Sequence, residues 1–163
     1  MWLYKEKELK EIKQFPKDTF GFIYKVTHIP SGKIYIGRKN LFHTRKQKLS
    51  KRAISLIEGP GRKPTHKVIV KESDWKTYYG SNKEIMQMIS DGREQEFQRD
   101  ILMFAPNKKL LTYYEAKYLF MNEVLEKPQE YLNDNILGKF YTKDLVSWGS
   151  VRIFTSNNQW RFW

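Results

Sequence analysis

Two short segments, Phe22-Ile23-Tyr24 and Tyr35-Ile36-Gly37, set tyrosines eleven residues apart across a Pro30-Ser31-Gly32 turn signal. Residues 21–27 and 33–37 are rich in Ile, Val, Tyr and Phe, which suit a pleated, half-buried surface, and the turn formers between them predict a β-hairpin. In an antiparallel pair, any register whose partner numbers sum to 59 or 61 puts Tyr24 and Tyr35 on one face, opposite or diagonal. An even sum separates them. The pair can stabilise an ordinary amphipathic hairpin, as cross-strand aromatics do, or present two phenols as a compact proton-handling surface. These residues alone leave both readings open.

Charge is the second constraint. The formal charge of +12 is concentrated between Arg38 and Lys71, where eleven Lys and Arg face a single acid, Glu58. Such a localised excess is either a solvated loop or the footprint of a phosphate backbone, whose neutralisation releases condensed counterions. Its start directly after the tyrosine-bearing segment favours the second. Composition excludes other classes. The 163 residues, 40% of them hydrophobic, suffice for one domain with a modest core and a small appendage. There is no run of about 18 apolar residues and no signal-peptide pattern, so a cytoplasmic protein without a membrane partner is expected. With no cysteine, neither disulfides nor a thiolate zinc site can form.

Punctuation divides the chain. Residues 3–14 alternate Lys and Glu around Leu3, Leu9 and Ile12 and predict a helix ending before Pro16. After the hairpin, residues 38–73 form a basic segment with a short helix around 48–57, broken by Gly59-Pro60-Gly61. Ser81-Asn82-Lys83-Glu84 has the form of a capping box and predicts a helix running to about Gly92. Phe97 to Phe104 reads as a third strand. Leu111, Tyr114, Tyr118, Met121 and Leu125 recur at three- and four-residue steps and predict a helix over 112–125. The order implies an α+β domain, a small three-stranded antiparallel sheet flanked by helices.

The hairpin segments, followed in order by Phe97-Gln98-Arg99-Asp100-Ile101-Leu102, Tyr113-Tyr114-Glu115-Ala116 and Tyr131-Leu132-Asn133, resemble the GIY-YIG nuclease superfamily. The basic insertion before Asp74-Trp75-Lys76-Thr77-Tyr78-Tyr79-Gly80-Ser81 is similar to the phage-type, Seg-like branch. Phe22 stands where the family usually has Gly. The resemblance implies a nuclease domain over 20–137 with the insertion at about 38–73, which leaves the helical N-terminal extension over 1–19 and an aromatic extension over 138–163 outside it. It implies a metal-dependent DNA endonuclease that leaves 5′-phosphate and 3′-hydroxyl ends, with one Mg²⁺ or Mn²⁺ per site and double-stranded DNA as partner. Cutting both strands then needs a homodimer or two successive nicks.

Carried over residue by residue, the resemblance makes Tyr24, Tyr35, Arg45, Glu115 and Asn133 the catalytic set and Glu115 the metal ligand. A hard cation held by one carboxylate keeps positions for water and substrate oxygens. Thr112-Tyr113-Tyr114-Glu115 is equally a capping-box sequence, which would occupy Glu115 with the backbone of Thr112. A phenol acting as base needs nearby cations to favour phenolate, and Arg38, Lys39 and Arg45 are candidates. The insertion disturbs the spacing that points to Arg45, so Arg38 or Lys39 can take its place, and Asn135 competes with Asn133. His43 is a candidate at the leaving group; His28 reads as a turn residue, and with His66 the three have no metal-ligand spacing. Lys46, Lys48, Lys51, Arg52, Arg62, Lys63, Lys67 and Lys71 are the expected DNA contacts.

The last residues alternate about Asn157-Asn158 and predict a hairpin pairing 155 with 160 and 153 with 162. It would either cover an open sheet or a dimer contact, or stack on bases. Two other functions compete with the nuclease: a nucleic-acid-binding protein that keeps the fold without its chemistry, and a basic assembly protein with a protein partner.

Overall fold

A computed structural model describes residues 1–146, 153–154 and 160–161. Its centre is the expected hairpin, β3 (Gly21–His28) with β4 (Ile34–Asn40). Tyr24 pairs with Gly37 and Val26 with Tyr35, a sum of 61, so both tyrosines face one side. His28 closes the hairpin: its ring nitrogens bond Ser31 Oγ at 2.7 Å and Glu96 at 3.1 Å. The third strand is β7 (Phe97–Ala105), antiparallel to β3 along its length with a bulge between Ile23 and Tyr24.

The N-terminal helix expected over 3–14 is not formed. Those residues make a ribbon, β1 (Trp2–Tyr4) and β2 (Lys7–Leu9), followed by a 3-10 turn at Ile12–Gln14. Lys5 and Glu6 turn it with positive φ, and β1 runs parallel to β7, so the sheet has five strands in the order β2-β1-β7-β3-β4 and is mixed. Tertiary contact overrides the helix-forming Lys and Glu. Trp2 is 1% exposed, packs edge-on to Phe22 and Tyr24 at 5.1 and 5.3 Å, and its indole N–H donates to the Trp75 carbonyl at 2.6 Å. Burying such a side chain outweighs propensity differences of a few tenths of a kcal/mol per residue. Phe22, the departure from the family's Gly, lies fully buried in this aromatic cluster between Trp2 and Phe15.

Two apolar layers sandwich the sheet. Trp2, Phe15, Phe22, Tyr24, Leu41, Trp75 and Ile85 form one, with α2 (Lys83–Ser90) against it. Ile23, Ile36, Leu111, Leu119, Leu125 and Ile136 form the other, under α3 (Lys108–Met121). That second helix starts four residues earlier than expected because Asn107 Oδ1 caps it by accepting from the Leu110 amide at 2.9 Å. Between the layers' elements, the basic segment leaves the body as an isolated two-stranded ribbon, β5 (Phe42–Lys48) with β6 (His66–Glu72), joined through α1 (Lys51–Ser55). The chain ends with β8 (Asn135–Ile136), β9 (Phe140–Tyr141), α4 (Thr142–Val146), β10 (Ile153–Phe154) and β11 (Trp160–Arg161). The last pair joins Ile153 to Arg161 and Phe154 to Trp160, one residue off the expected register; the expected partners 155 and 162 lie outside the described residues.

Because Trp2 is a core residue, Trp2→Ala should lower stability by about 3–5 kcal/mol. Urea unfolding at fixed pH measures this, and a loss below about 1 kcal/mol would show the N-terminal ribbon to be peripheral.

Candidate active site

The Tyr24 and Tyr35 rings lie tilted at 42° with centroids 6.3 Å apart, and the register that brings them together sets Tyr24 against Gly37. A Cβ at position 37 would fall 2.5 Å from the Tyr24 hydroxyl oxygen, so only glycine fits. Gly80, at φ +120°, lies over the Tyr35 ring in the same way: a Cβ there would meet its Cε1 at 2.9 Å. The hydroxyls of Tyr35 and Ser81 hydrogen-bond at 3.0 Å. Ser81 therefore is not the helix cap that its Ser-x-x-Glu spacing suggests. Asn82 caps α2 instead, accepting from the Ile85 amide at 3.1 Å. Two cap-capable residues in tandem left one hydroxyl for another task, which is the signal that could have identified Ser81.

Glu115 is not a capping residue either. With α3 capped at Asn107, Glu115 lies in the helix interior on the same stripe as Leu111 and Leu119, four residues away on each side and both buried. That stripe faces the sheet, which carries the carboxylate inward and leaves its side chain 16% exposed. Arg38 Nε sits 3.2 Å from it, and an Arg38 terminal nitrogen donates to Thr112 Oγ1, one turn earlier on the helix. Thr112 was missed as a site residue; its i,i+3 spacing to Glu115 was the available signal. Asn133 brackets the outer edge of β4, with Oδ1 accepting from the Ile36 amide at 2.9 Å and Nδ2 donating to the Ile36 carbonyl at 2.8 Å. Asn135 is occupied in a turn, accepting from the Gly138 amide.

These groups meet around a cavity of about 250 Å³ that wraps the edge of β4, lined by Tyr35, Arg38, Ser81, Glu115, Asn133 and Asp134 among others. Tyr24 lies directly behind Tyr35. Asn135 also lines the cavity, and the remaining candidates are elsewhere. Lys39 is 9% exposed, pairs with Asp74 at 2.7 Å and sits 3.5 Å from the Tyr78 ring centroid. His43 is 3.9 Å from the same Asp74. Arg45 is exposed on β5 and does not line the cavity, as are Lys46, Lys48, Lys51, Arg52, Arg62, Lys63, Lys67 and Lys71 on the ribbon and its tip.

Burial dominates the electrostatics. It pushes the Tyr24 phenol well above its usual value, with the neighbouring phenols of Tyr35 and Tyr78 and the charge of Glu115 adding to the effect. Burial likewise raises Tyr35, against the opposing hydrogen bond from Ser81. Both phenols are neutral donors near pH 7. Glu115 is raised by desolvation, which the Arg38 guanidinium only partly offsets. Among the described residues, no three His, Cys, Asp or Glu converge into a metal cage, and no helix is long and apolar enough to cross a membrane.

The family model described as "Putative endonuclease segE, GIY-YIG domain" matches residues 2–136. No curated protein and no solved structure matches the chain.

The raised Glu115 carboxyl has a signed consequence. The folded chain holds its proton to higher pH than the unfolded chain does, so the stability this confers is complete below the unfolded value and lost as pH rises through the folded one. Glu115→Gln removes that loss. Urea unfolding of both proteins from pH 4 to pH 7 without divalent ions should show the variant gaining on the parent as pH rises; a pH-independent difference would contradict the burial argument.

Proposed function

From the premise that the chain belongs to the SegE GIY-YIG endonuclease family, we propose that it hydrolyses phosphodiester bonds of double-stranded DNA in a metal-dependent reaction, leaving 5′-phosphate and 3′-hydroxyl ends. The observation that carries this is convergence. Tyr35 and Arg38 from a strand, Glu115 from a helix and Asn133 from a later segment line one cavity large enough for a phosphate and its water.

Glu115 fits a hard cation. It is a desolvated carboxylate, incompletely compensated by Arg38, at the wall of an oxygen-lined cavity that also holds Asp134, and one or two carboxylates plus water suffice for Mg²⁺ or Mn²⁺. Bound there, a single ion would supply Lewis-acid stabilisation of the charge growing on the phosphoryl group. The chain's own groups do the rest. Arg38 turns its guanidinium to the phosphate and offsets the same charge, the role expected of Arg45. Tyr35, a neutral phenol steadied by Ser81, donates to a phosphate oxygen or orients the attacking water. Tyr24 acts from behind by fixing the Tyr35 ring, since its buried hydroxyl stays protonated. Asn133 acts as a buttress because both ends of its amide are engaged with β4. Water adds to phosphorus in line, loses its proton, and the bond to the 3′-oxygen breaks as that oxygen gains one.

One observation favours a second reading, a nucleic-acid-binding protein without chemistry: Arg38 and Glu115 are paired, which occupies the carboxylate. Cleavage of supercoiled plasmid decides between them. Glu115→Gln should reduce Mg²⁺- or Mn²⁺-dependent cleavage by at least about 100-fold while DNA affinity in EDTA changes less than about threefold. Arg38→Ala should cut turnover at saturating DNA by about 100-fold and Arg45→Ala should leave it near the parent rate. Full activity in the Glu115 variant, or equal losses from the two arginines, would overturn these assignments.

A further inference from the structure

The β5–β6 ribbon stands apart from the body. Every residue of β6 and all of β5 beyond Phe42 are exposed, including Val68 and Val70 at 61% and 60%. A two-stranded ribbon with neither face covered is marginal on its own, yet its root is firmly held. The Ser73 amide donates to the Leu41 carbonyl at 2.8 Å, Ser73 Oγ to the Asn40 carbonyl at 2.6 Å, and the Trp75 indole to Glu72 at 2.8 Å. An exposed ribbon on a fixed root is a projecting element.

Its register sorts the side chains. His43 lies opposite Lys71, Arg45 opposite Ile69 and Gln47 opposite Lys67, so these six share one face; Thr44, Lys46, Lys48, His66, Val68 and Val70 share the other. The first face holds the two side chains with forked geometry for base edges, Arg for guanine and Gln for adenine, with Ile69 between them for a thymine methyl. Among the described residues Arg45, Gln47, Lys67 and Lys71 have no ion-pair or hydrogen-bond partner from a side chain. The tip carries Lys51, Arg52, Arg62 and Lys63. Seven pairs span about 23 Å at roughly 3.3 Å per residue, and a major groove about 12 Å wide admits a two-stranded ribbon.

We propose that the β5–β6 ribbon enters the major groove of duplex DNA with its Arg45, Gln47, Lys67 and Ile69 face, while the tip cations hold the flanking phosphates. This rests on the reading that DNA is the substrate. Only Leu41 separates β5 from β4, whose Tyr35 and Arg38 line the catalytic cavity, so one duplex can engage both. Base selection then lies on the ribbon and bond breaking on the body.

The test uses the full chain in EDTA, where cleavage plays no part, and probes bound duplex with dimethyl sulfate, which methylates guanine N7 in the major groove. The parent should protect N7 over roughly seven base pairs, the ribbon's span at about 3.4 Å per pair. Arg45→Ala with Gln47→Ala should abolish that protection, lower affinity by about tenfold or more, and flatten the base preference selected from a random duplex pool. Lys51→Ala with Arg52→Ala should weaken all sequences alike, keep the protection, and reduce the slope of log K on log salt by about 2. Val68→Thr with Val70→Thr, on the other face, should leave protection intact. N7 fully reactive in the bound duplex, protection unchanged in the Arg45 and Gln47 variant, or binding only to single strands overturns the proposal. Loss of nuclease chemistry alone leaves these footprints unaffected, so the two failures are distinguishable.

Discussion

The contact on which the site depends is between the Tyr24 phenol and Gly37. Strand pairing puts them opposite one another, and a Cβ at 37 would lie 2.5 Å from the phenol oxygen. A one-residue slip would put the two tyrosines on opposite faces of the sheet and break the contact. The side chain missing at Gly37 gives Tyr24 the space to lie behind Tyr35, and the Gly80 backbone likewise packs close against the Tyr35 ring. Both glycines are therefore steric requirements of the tyrosine pair, and the pair is held from behind by Trp2, a residue that a helical N-terminus would have removed.

Glu115 illustrates how a helix converts spacing into electrostatics. Its place between Leu111 and Leu119 guarantees burial, and burial raises its proton affinity. A surface carboxylate would bind a divalent ion weakly because water competes well for both. A desolvated one, with Arg38 at 3.2 Å supplying only part of the missing solvation, gains more from a cation. The same burial keeps both phenols neutral, so the cavity concentrates its negative charge on carboxylates and its positive charge on one guanidinium.

Short-range signals were legible in the chain. The hairpin, β7, the helix before Gly92 and the short helix in the insertion all follow from local periodicity and turn residues, whereas the register that joins the tyrosines and the cap at Asn82 do not. What the sequence did not reveal depended on partners distant along the chain. Residues 3–14 look helical until Trp2 has Phe22, Tyr24 and Trp75 to bury against. The start of α3 turned on the choice between Asn107 and Thr112 as cap, and local rules rank the two almost equally. Of the expected catalytic residues, Tyr35, Glu115 and Asn133 line the cavity, as does the alternative Arg38; Tyr24 lies behind Tyr35, and Arg45 is carried off by an insertion that leaves the body and returns.

That departure and return also explains why the insertion is tolerated. Ser73 ties back to Asn40 and Leu41, so residues 42–72 form a closed excursion between two fixed points. The entropy of closing such an excursion grows only with the logarithm of its length, so a long one costs little more than a short one. Once closed, the chain on either side is continuous in space: Tyr35 before it meets Gly80 and Ser81 after it. The cavity is thus assembled by segments that ignore the ribbon's sequence, while the ribbon is free of packing demands at almost every position. Side chains on the ribbon can vary without disturbing the Tyr35, Arg38 and Glu115 geometry, so the proposed base reading and the proposed chemistry rest on physically separate parts of the chain.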